Sequence, residues 1–366
     1  MAVNRFFRPD FDDLEAYTPV KPLDVLAAEI GVPVGDIVKL DANENLYGPH
    51  AAVTDALSMA DLHIYPDPGQ TALRAAIAEY VGVAADQVVA GSGADDLIDI
   101  ILRLVRPAIA VTASPTFGMY SFLAKVNGTR FVEVPRLAAF EIDVPALART
   151  VERGAHLIFL TSPNNPTGNC LTTAEIEAVC ALDALVVVDE AYVEFGGTSA
   201  IPLIATHPNL IVLRTFSKWA GLAGLRVGYS VSEPGIAAAL MAIKQPYNVN
   251  VAGDLAARAA LKHRSEVFAT VRCIVEERAR LSLEVGALGW LRPLPSESNF
   301  VLFAVDAGHD AAKLTAELRR RGVLIRYYNR ADLANYVRIS AGRPEDTSRL
   351  LAALREVESL SRREDS

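Results

Sequence analysis

The run Leu210-Ile211-Val212-Leu213-Arg214 leads directly into Thr215-Phe216-Ser217-Lys218-Trp219-Ala220-Gly221-Leu222-Ala223-Gly224-Leu225-Arg226, and Val227-Gly228-Tyr229 closes the stretch. The first five residues read as a strand. Beyond it a serine and a lysine stand side by side among small residues, and an arginine follows the lysine eight positions on. Lys218 in such packing is not a routine solvated cation. Burial disfavours the charged amine and lowers its pKa, which suits a nitrogen that must attack a carbonyl. The other reading is a surface loop with a scattered Lys and Arg. This stretch alone leaves both open.

Upstream, Ala184-Leu185-Val186-Val187-Val188 is continuously apolar, the pattern of a strand buried on both faces. Asp189 follows at its carboxyl end, where open α/β sheets bind ligands, and Tyr192 lies three residues on. A carboxylate so placed needs a partner, since an unpaired buried charge is costly, although capping a helix is its other use. Earlier still, a strand over 155–160 runs into Thr161-Ser162-Pro163-Asn164-Asn165-Pro166-Thr167-Gly168, where flanking prolines pre-position the Asn165 amide. One of those two X-Pro bonds is a candidate for the cis form. A strand over 108–112 feeds a turn carrying Phe117, whose ring either stacks on a flat ligand or fills core. A strand over 87–91 gives way to Ser92-Gly93-Ala94-Asp95 and a helix. The N–H groups of Gly93, Ala94 and Asp95 form a ready anion site, while Ser92 or Asp95 can also act as a plain cap. Strand and helix alternate from about 85 to 230, which predicts an α/β fold with a mostly parallel sheet flanked by helices.

The flanks are less regular. Residues 1–40 read as an arm, extended by Pro19 and Pro22, and a helix over 23–30 that Gly31 ends. The segment Asp41-Ala42-Asn43-Glu44-Asn45 is either an ordinary turn-rich loop or the mouth of a site. Tyr65 precedes Pro66 in a rigid turn, and its phenol is free to donate to an anion or merely to pack. Residues 251–288 form a helix pair suited to bridging two domains. Strands near 299–303, 323–328 and 336–342, with helices over 311–321 and at the end, read as a smaller α+β domain. Arg326 and Arg338 lie in or just after its short strands. They either face solvent or form a bidentate anion clamp. The expected organisation is therefore 1–40 as an arm and helix packing with the small domain, 41–250 as the large domain, and 251–366 as linking helices and small domain.

Composition narrows the function. A chain of 366 residues, 51% hydrophobic and 22% charged, fits a soluble protein with one large and one smaller domain. The net charge of −9 argues against nucleic-acid binding, and no apolar run reaches membrane-spanning length. The start lacks the apolar core of a signal peptide. Three cysteines and six histidines show neither disulfide nor metal-ligand spacing, so no metal and a cytoplasmic setting are expected.

In order along the chain, these motifs resemble the aspartate-aminotransferase-like (fold type I) family of pyridoxal-phosphate enzymes, and within it the histidinol-phosphate aminotransferase branch. The resemblance spans nearly the whole chain. It takes in Tyr17 with Pro19, Asn43-Glu44-Asn45, Tyr65-Pro66-Asp67, Asn164 to Gly168, Asp189-Glu190-Ala191-Tyr192, Ser217-Lys218 and Arg338-Ile339-Ser340. Leu46 departs from the family's usual proline, Phe117 from a common tyrosine and Asp96 from a frequent glutamate. None of these departures removes a group the reaction needs.

The resemblance implies that Lys218 carries pyridoxal phosphate as a Schiff base and shuttles the proton. It implies equally that Asp189 pairs with the ring nitrogen, that Asn165 and Tyr192 hydrogen-bond the phenolic oxygen, and that Phe117 stacks on the ring. Ala94, Asp95, Ser217 and Arg226 are implied to hold the phosphate, joined by Tyr65 from the neighbouring subunit of a homodimer. Arg338, Arg326, Tyr17 and Asn165 are implied to bind substrate. The implied substrates are histidinol phosphate and glutamate, with their 2-oxo partners. An aromatic amino-acid aminotransferase is one alternative. A threonine-phosphate decarboxylase of the same fold is another, and a cofactor-binding regulator is disfavoured because no DNA-binding segment precedes the family pattern.

Overall fold

The computed structural model describes residues 6–8 and 21–364. Thirteen strands fall into three sheets among the described residues. In chain order they are β1 (Val38–Lys39), β2 (Val88–Gly91), β3 (Ile109–Ser114), β4 (Arg130–Pro135), β5 (Ala155–Thr161), β6 (Leu185–Asp189) and β7 (Leu210–Thr215). There follow β8 (Gly228–Val231), β9 (Leu291–Pro293), β10 (Phe300–Val305), β11 (Val323–Leu324), β12 (Arg326–Tyr327) and β13 (Tyr336–Ser340).

The seven-stranded sheet has the order β2-β8-β7-β6-β5-β3-β4. Its strands from β4 to β7 pair in parallel, and β8 runs antiparallel to both β2 and β7. Val186, Val187 and Val188 are wholly buried, as the unbroken apolar run requires of a strand covered on both faces. Each such side chain removes apolar area worth roughly 1.5–3 kcal/mol from water. The helix Ala94–Val105 shows how the faces are covered. Leu97, Ile98, Ile101 and Leu102 recur on a helical period and are all buried, while Asp95 and Asp96 occupy the first turn, where acidic groups suit the helix dipole. The edge strand β4 escapes notice in the sequence because half of its residues are exposed and it ends in proline.

The small sheet has the order β12-β13-β10-β9, and β1 pairs in parallel with β11 beside it. This second core includes Val38 and Leu40 from near the start of the chain and Leu350 and Leu354 from near its end. The helix Leu23–Ile30 is tied to the helix Ala311–Arg320 by the Glu29–Arg319 ion pair. Of the two helices expected to bridge the domains, Val251–Lys262 buries Ala256, Ala257, Ala260 and Leu261 in the large core alone. The bridge is the longer Arg264–Gly286, which sends Val267, Val271 and Ile274 into the large core and Leu281 and Val285 into the small one.

Candidate active site

A cavity of about 380 Å³ opens at the carboxyl ends of β5, β6 and β7, the position where open α/β sheets take ligands. Its walls include Ala94, Asp95, Phe117, Asn165, Asp189, Tyr192, Ser217, Lys218 and Arg226. Stretches more than a hundred residues apart in the chain therefore meet in one place.

Lys218 lies in the connection from β7 to β8, whose ends are pinned where Thr215 pairs with Gly228. Its Nζ donates to the Ala42 carbonyl at 3.3 Å and sits 5.8 Å from the centre of the Tyr192 ring. Burial, aided by the Arg338 cation, pushes this amine down to about 8. Asp189 ends β6 and is 3% exposed. Burial pushes its carboxyl up to about 6, while hydrogen bonds from the Tyr120 hydroxyl (2.6 Å to Oδ2) and the Ala191 N–H (3.0 Å to Oδ1) pull it back. The amine and the carboxylate thus face one cavity, each shifted toward neutrality by the same loss of water.

One end of the cavity is built for an anion. Ala94 and Asp95 open the helix Ala94–Val105, where the first N–H groups have no intrahelical acceptor. The Arg226 Nη2 stands 3.1 Å from Asp95 Oδ2. Ser217 adds a hydroxyl held by Thr215 Oγ1 at 3.0 Å. The close approach depends on glycine. A Cβ at Gly228 would lie 2.7 Å from the Ala94 nitrogen, and one at Gly93 would lie 2.6 Å from Arg226 Nη2.

Toward the small domain the arrangement changes. The Tyr192 hydroxyl accepts from Asn43 Nδ2 (3.0 Å) and Asn165 Nδ2 (3.3 Å), and burial pushes its phenol up to about 12. Asn165 Oδ1 in turn accepts from Arg338 Nη1 at 2.6 Å and from the Tyr328 hydroxyl at 3.5 Å. Arg338 is 5% exposed and lies 5.2 Å over the Phe300 ring, and its Nε has no partner. Phe117 meets Tyr120 edge-on with centroids 5.6 Å apart and forms part of the cavity wall.

Arg338, Arg326 and Tyr65 are absent from the cavity lining. Arg326 is the register partner of Arg338 on β12 and is half-buried, with its guanidinium 5.6 Å from the Tyr328 ring centre. It does not line the cavity. Tyr65 is 78% exposed, stacked on Tyr247 at 4.6 Å, and absent from the cavity walls of its own chain. Tyr17 lies outside the described residues. Both prolines near Asn165, and Pro115 as well, follow cis bonds.

The structure also brings in residues that carried no expected role. Asn43 stood in a motif read either as a turn-rich loop or as the mouth of a site. Tyr120 and Tyr328 carried no signal, because an aromatic residue inside a helix or after a strand reads as core.

The donor set fits pyridoxal phosphate: a shifted amine and a shifted carboxylate share the cavity, an aromatic ring forms one wall, and unpaired helix N–H groups with an arginine form the anion end. A Cβ at Gly228 would meet the backbone of Gly93 and Ala94, so the helix start that forms the anion end is seated by the absence of a side chain there.

The family model for aminotransferase class I and II matches residues 35–354 of this chain. The histidinol-phosphate aminotransferase of Roseiflexus castenholzii is 48% identical over 368 residues, covering 97% of this chain and 99% of that protein. The chloroplastic histidinol-phosphate aminotransferase of Nicotiana plumbaginifolia is 47% identical over 355 residues, 96% of this chain and 86% of that protein. Among solved structures, histidinol-phosphate aminotransferase from Sinorhizobium meliloti in complex with pyridoxal-5'-phosphate superimposes with a TM-score of 0.87 at 33% identity, over 97% of this chain and 98% of that one.

Proposed function

The chain belongs to the family of class I and II aminotransferases, and we propose that it transfers the amino group of histidinol phosphate to 2-oxoglutarate, giving imidazole-acetol phosphate and glutamate, with pyridoxal phosphate as cofactor. One observation carries this reading. Lys218 and Asp189 share a single cavity, and the buried guanidinium of Arg338 stands behind its wall, bonded to the lining residue Asn165 and with Nε still unpartnered. A guanidinium fork accepts a phosphate as well as a carboxylate, which is what two unlike amino donors in one site demand.

When bound, the cofactor supplies an aldehyde that condenses with amines and a protonated heterocycle that draws electrons from the substrate α-carbon. The protein's own residues do the rest. Lys218 would hold it covalently, and Ala94, Asp95, Ser217 and Arg226 would hold its phosphate. Asp189 would pair with the ring nitrogen, since a neighbouring carboxylate favours that nitrogen's charged form. Lys218 Nζ, with an affinity for protons lowered toward neutrality, would carry the proton from the substrate α-carbon to the cofactor's C4′. Asn165 and Tyr192 would donate to an oxygen on the ring, and Phe117 would close one face. Arg338, together with Arg326 and Tyr17, would read the substrate's anionic group.

The same proposal includes a homodimer in which Tyr65 reaches the phosphate of the neighbouring site. It is supported by the outward-facing cluster of Leu62 (74% exposed), Ile64 (57%) and Tyr65 (78%), large apolar surfaces that a second copy would cover. It also includes a cytoplasmic setting. No described helix is long and apolar enough to cross a membrane.

The test is a comparison of kcat/KM for histidinol phosphate and for phenylalanine, with 2-oxoglutarate as acceptor. The expected result is a clear preference for histidinol phosphate. A preference for phenylalanine would assign the site to aromatic amino acids, and release of carbon dioxide from a phosphorylated amino acid would assign it to decarboxylation.

A further inference from the structure

Asn43 is 1% exposed and adopts a left-handed backbone with φ of 55°, a region that asparagine enters more readily than most residues but still at some cost. Every polar group it carries is used. Its N–H donates to Ser340 Oγ (3.0 Å), its Oδ1 accepts from the same hydroxyl (2.9 Å), and its carbonyl accepts from Asn299 Nδ2 (3.0 Å). Its remaining donor, Nδ2, points to the Tyr192 hydroxyl at 3.0 Å. The preceding carbonyl, that of Ala42, accepts from Lys218 Nζ.

The pair with Ser340 orients the amide. Oδ1 accepts the serine hydrogen, and Nδ2 is turned to the tyrosine. A phenolic hydroxyl has one hydrogen and acceptor sites for its lone pairs. At Tyr192 the Asn43 and Asn165 amides both donate to the oxygen, which leaves its own hydrogen to be donated elsewhere, and Tyr192 lines the cavity. The two amides differ in what holds them. Asn165 is tied through Oδ1 to Arg338, the residue proposed to meet the substrate's anion, whereas Asn43 is held directly by Ser340 and Asn299, and Arg338 reaches its segment only at the Asp41 carbonyl.

We propose that Asn43 is a positioning residue that aims the Tyr192 hydroxyl hydrogen into the cavity and keeps that aim independent of what Arg338 is doing. The proposal deepens the aminotransferase reading and rests on it. It gives the left-handed backbone a purpose: the unusual φ turns the side chain toward Tyr192 while the main chain stays bonded to the small domain. It also ties Tyr192, a large-domain group, to β13 of the small domain through a single side chain.

Asn43→Gly separates the two roles. Glycine accepts the left-handed backbone without penalty, so it keeps the fold of the loop and removes only the amide. The cofactor-free variant is expected to keep the far-ultraviolet spectrum of the wild type, with a melting temperature lower by only a few degrees. Loaded with pyridoxal phosphate, it is expected to show KM values within about threefold of wild type and a kcat reduced about tenfold or more, the size of one lost hydrogen bond. The visible band of the bound cofactor should change colour at a higher pH than in the wild type, because a hydrogen-bond donor no longer aimed at an anionic oxygen ceases to stabilise it. That spectral midpoint is read without turnover, so it stands even if histidinol phosphate is not the substrate. Ser340→Ala serves as the second variant. It frees the Asn43 amide to turn over and is expected to move the midpoint in the same direction by less. An unchanged kcat and spectral midpoint in Asn43→Gly would overturn the proposal. If that variant does not fold, an unchanged midpoint in Ser340→Ala would do so instead.

Discussion

Replacing Arg338 by lysine keeps the charge and removes the fork, and the structure sets the size of the effect. A guanidinium carries five N–H donors. In Arg338 one is spent on Asn165 Oδ1 and one on the Asp41 carbonyl, and Nε has no partner. Enough donors remain to bind a phosphate or carboxylate at two points. A lysine ammonium from the same strand position can replace one such contact, so one charge-assisted hydrogen bond is lost, worth about 1.5–3 kcal/mol. At 1.4 kcal/mol per factor of ten, KM should rise roughly 10- to 150-fold. Arg338→Ala forfeits both contacts, and its KM should rise about 10²- to 10⁴-fold. The assay is steady-state transamination, run with histidinol phosphate and then with glutamate as amino donor. Both KM values should rise together, because one arginine is taken to serve both substrates, and kcat should fall less. KM values within twofold of wild type for Arg338→Lys would refute the reasoning, as would a change confined to one donor.

Lys218→Ala should lose both turnover and the absorbance of covalently held cofactor, and borohydride should then trap nothing; near-normal transamination would remove Lys218 from the mechanism. Gly228→Ala places a methyl group 2.7 Å from the Ala94 nitrogen, so equilibrium dialysis should show pyridoxal phosphate bound at least about tenfold more weakly. The cofactor-free protein should respond to pH in two windows. Asp189 binds its proton more tightly folded, at about 6 against the ordinary 3.8, so stability falls as pH rises between those values. Asp189→Asn should flatten that fall and raise the melting temperature at pH 7. Lys218 binds its proton less tightly folded, at about 8 against 10.5, so stability rises with pH across that interval, and Lys218→Met should abolish the rise. Mixing inactive Tyr65→Ala with inactive Lys218→Ala should restore activity through hybrid dimers with one intact site; no recovery on mixing would place Tyr65 outside the neighbouring site.

The large domain was legible because its signals are local. A strand buried on both faces shows as an unbroken apolar run, and Val186 to Val188 could hardly be anything else. The turns after the strands are equally readable, since Pro163 and Pro166 fix the backbone, whereas Gly93 and Gly221 open it to the left-handed region. The meeting of Asp189, Lys218 and the Ala94 helix start in one cavity follows from parallel strands ending on the same side. Contact at a distance could not be read. Nothing in Tyr120's neighbourhood marks it as the donor to Asp189, sixty-nine residues later in the chain. The segment around Asn43 stayed ambiguous for the same reason, because its partners Tyr192, Asn299 and Ser340 lie far along the sequence. The edge strand β4 was hidden by its own exposure, and the division of labour between the two long helices depends on which core each apolar face meets.

The parallel pairing of Val38 with Val323 and of Lys39 with Leu324 has a consequence for synthesis. The ribosome must deliver nearly the whole polypeptide before β1 acquires its neighbour. The seven-stranded sheet, complete by Val231, can form earlier, since domains tend to fold as units from the N-terminal side during translation. Until then the early segment that supplies Val38, Leu40 and Asn43 must wait beside a finished layer without its own shelter. A nascent chain halted before residue 323 would therefore hold the lysine and the carboxylate in register but leave the tyrosine between them unaimed.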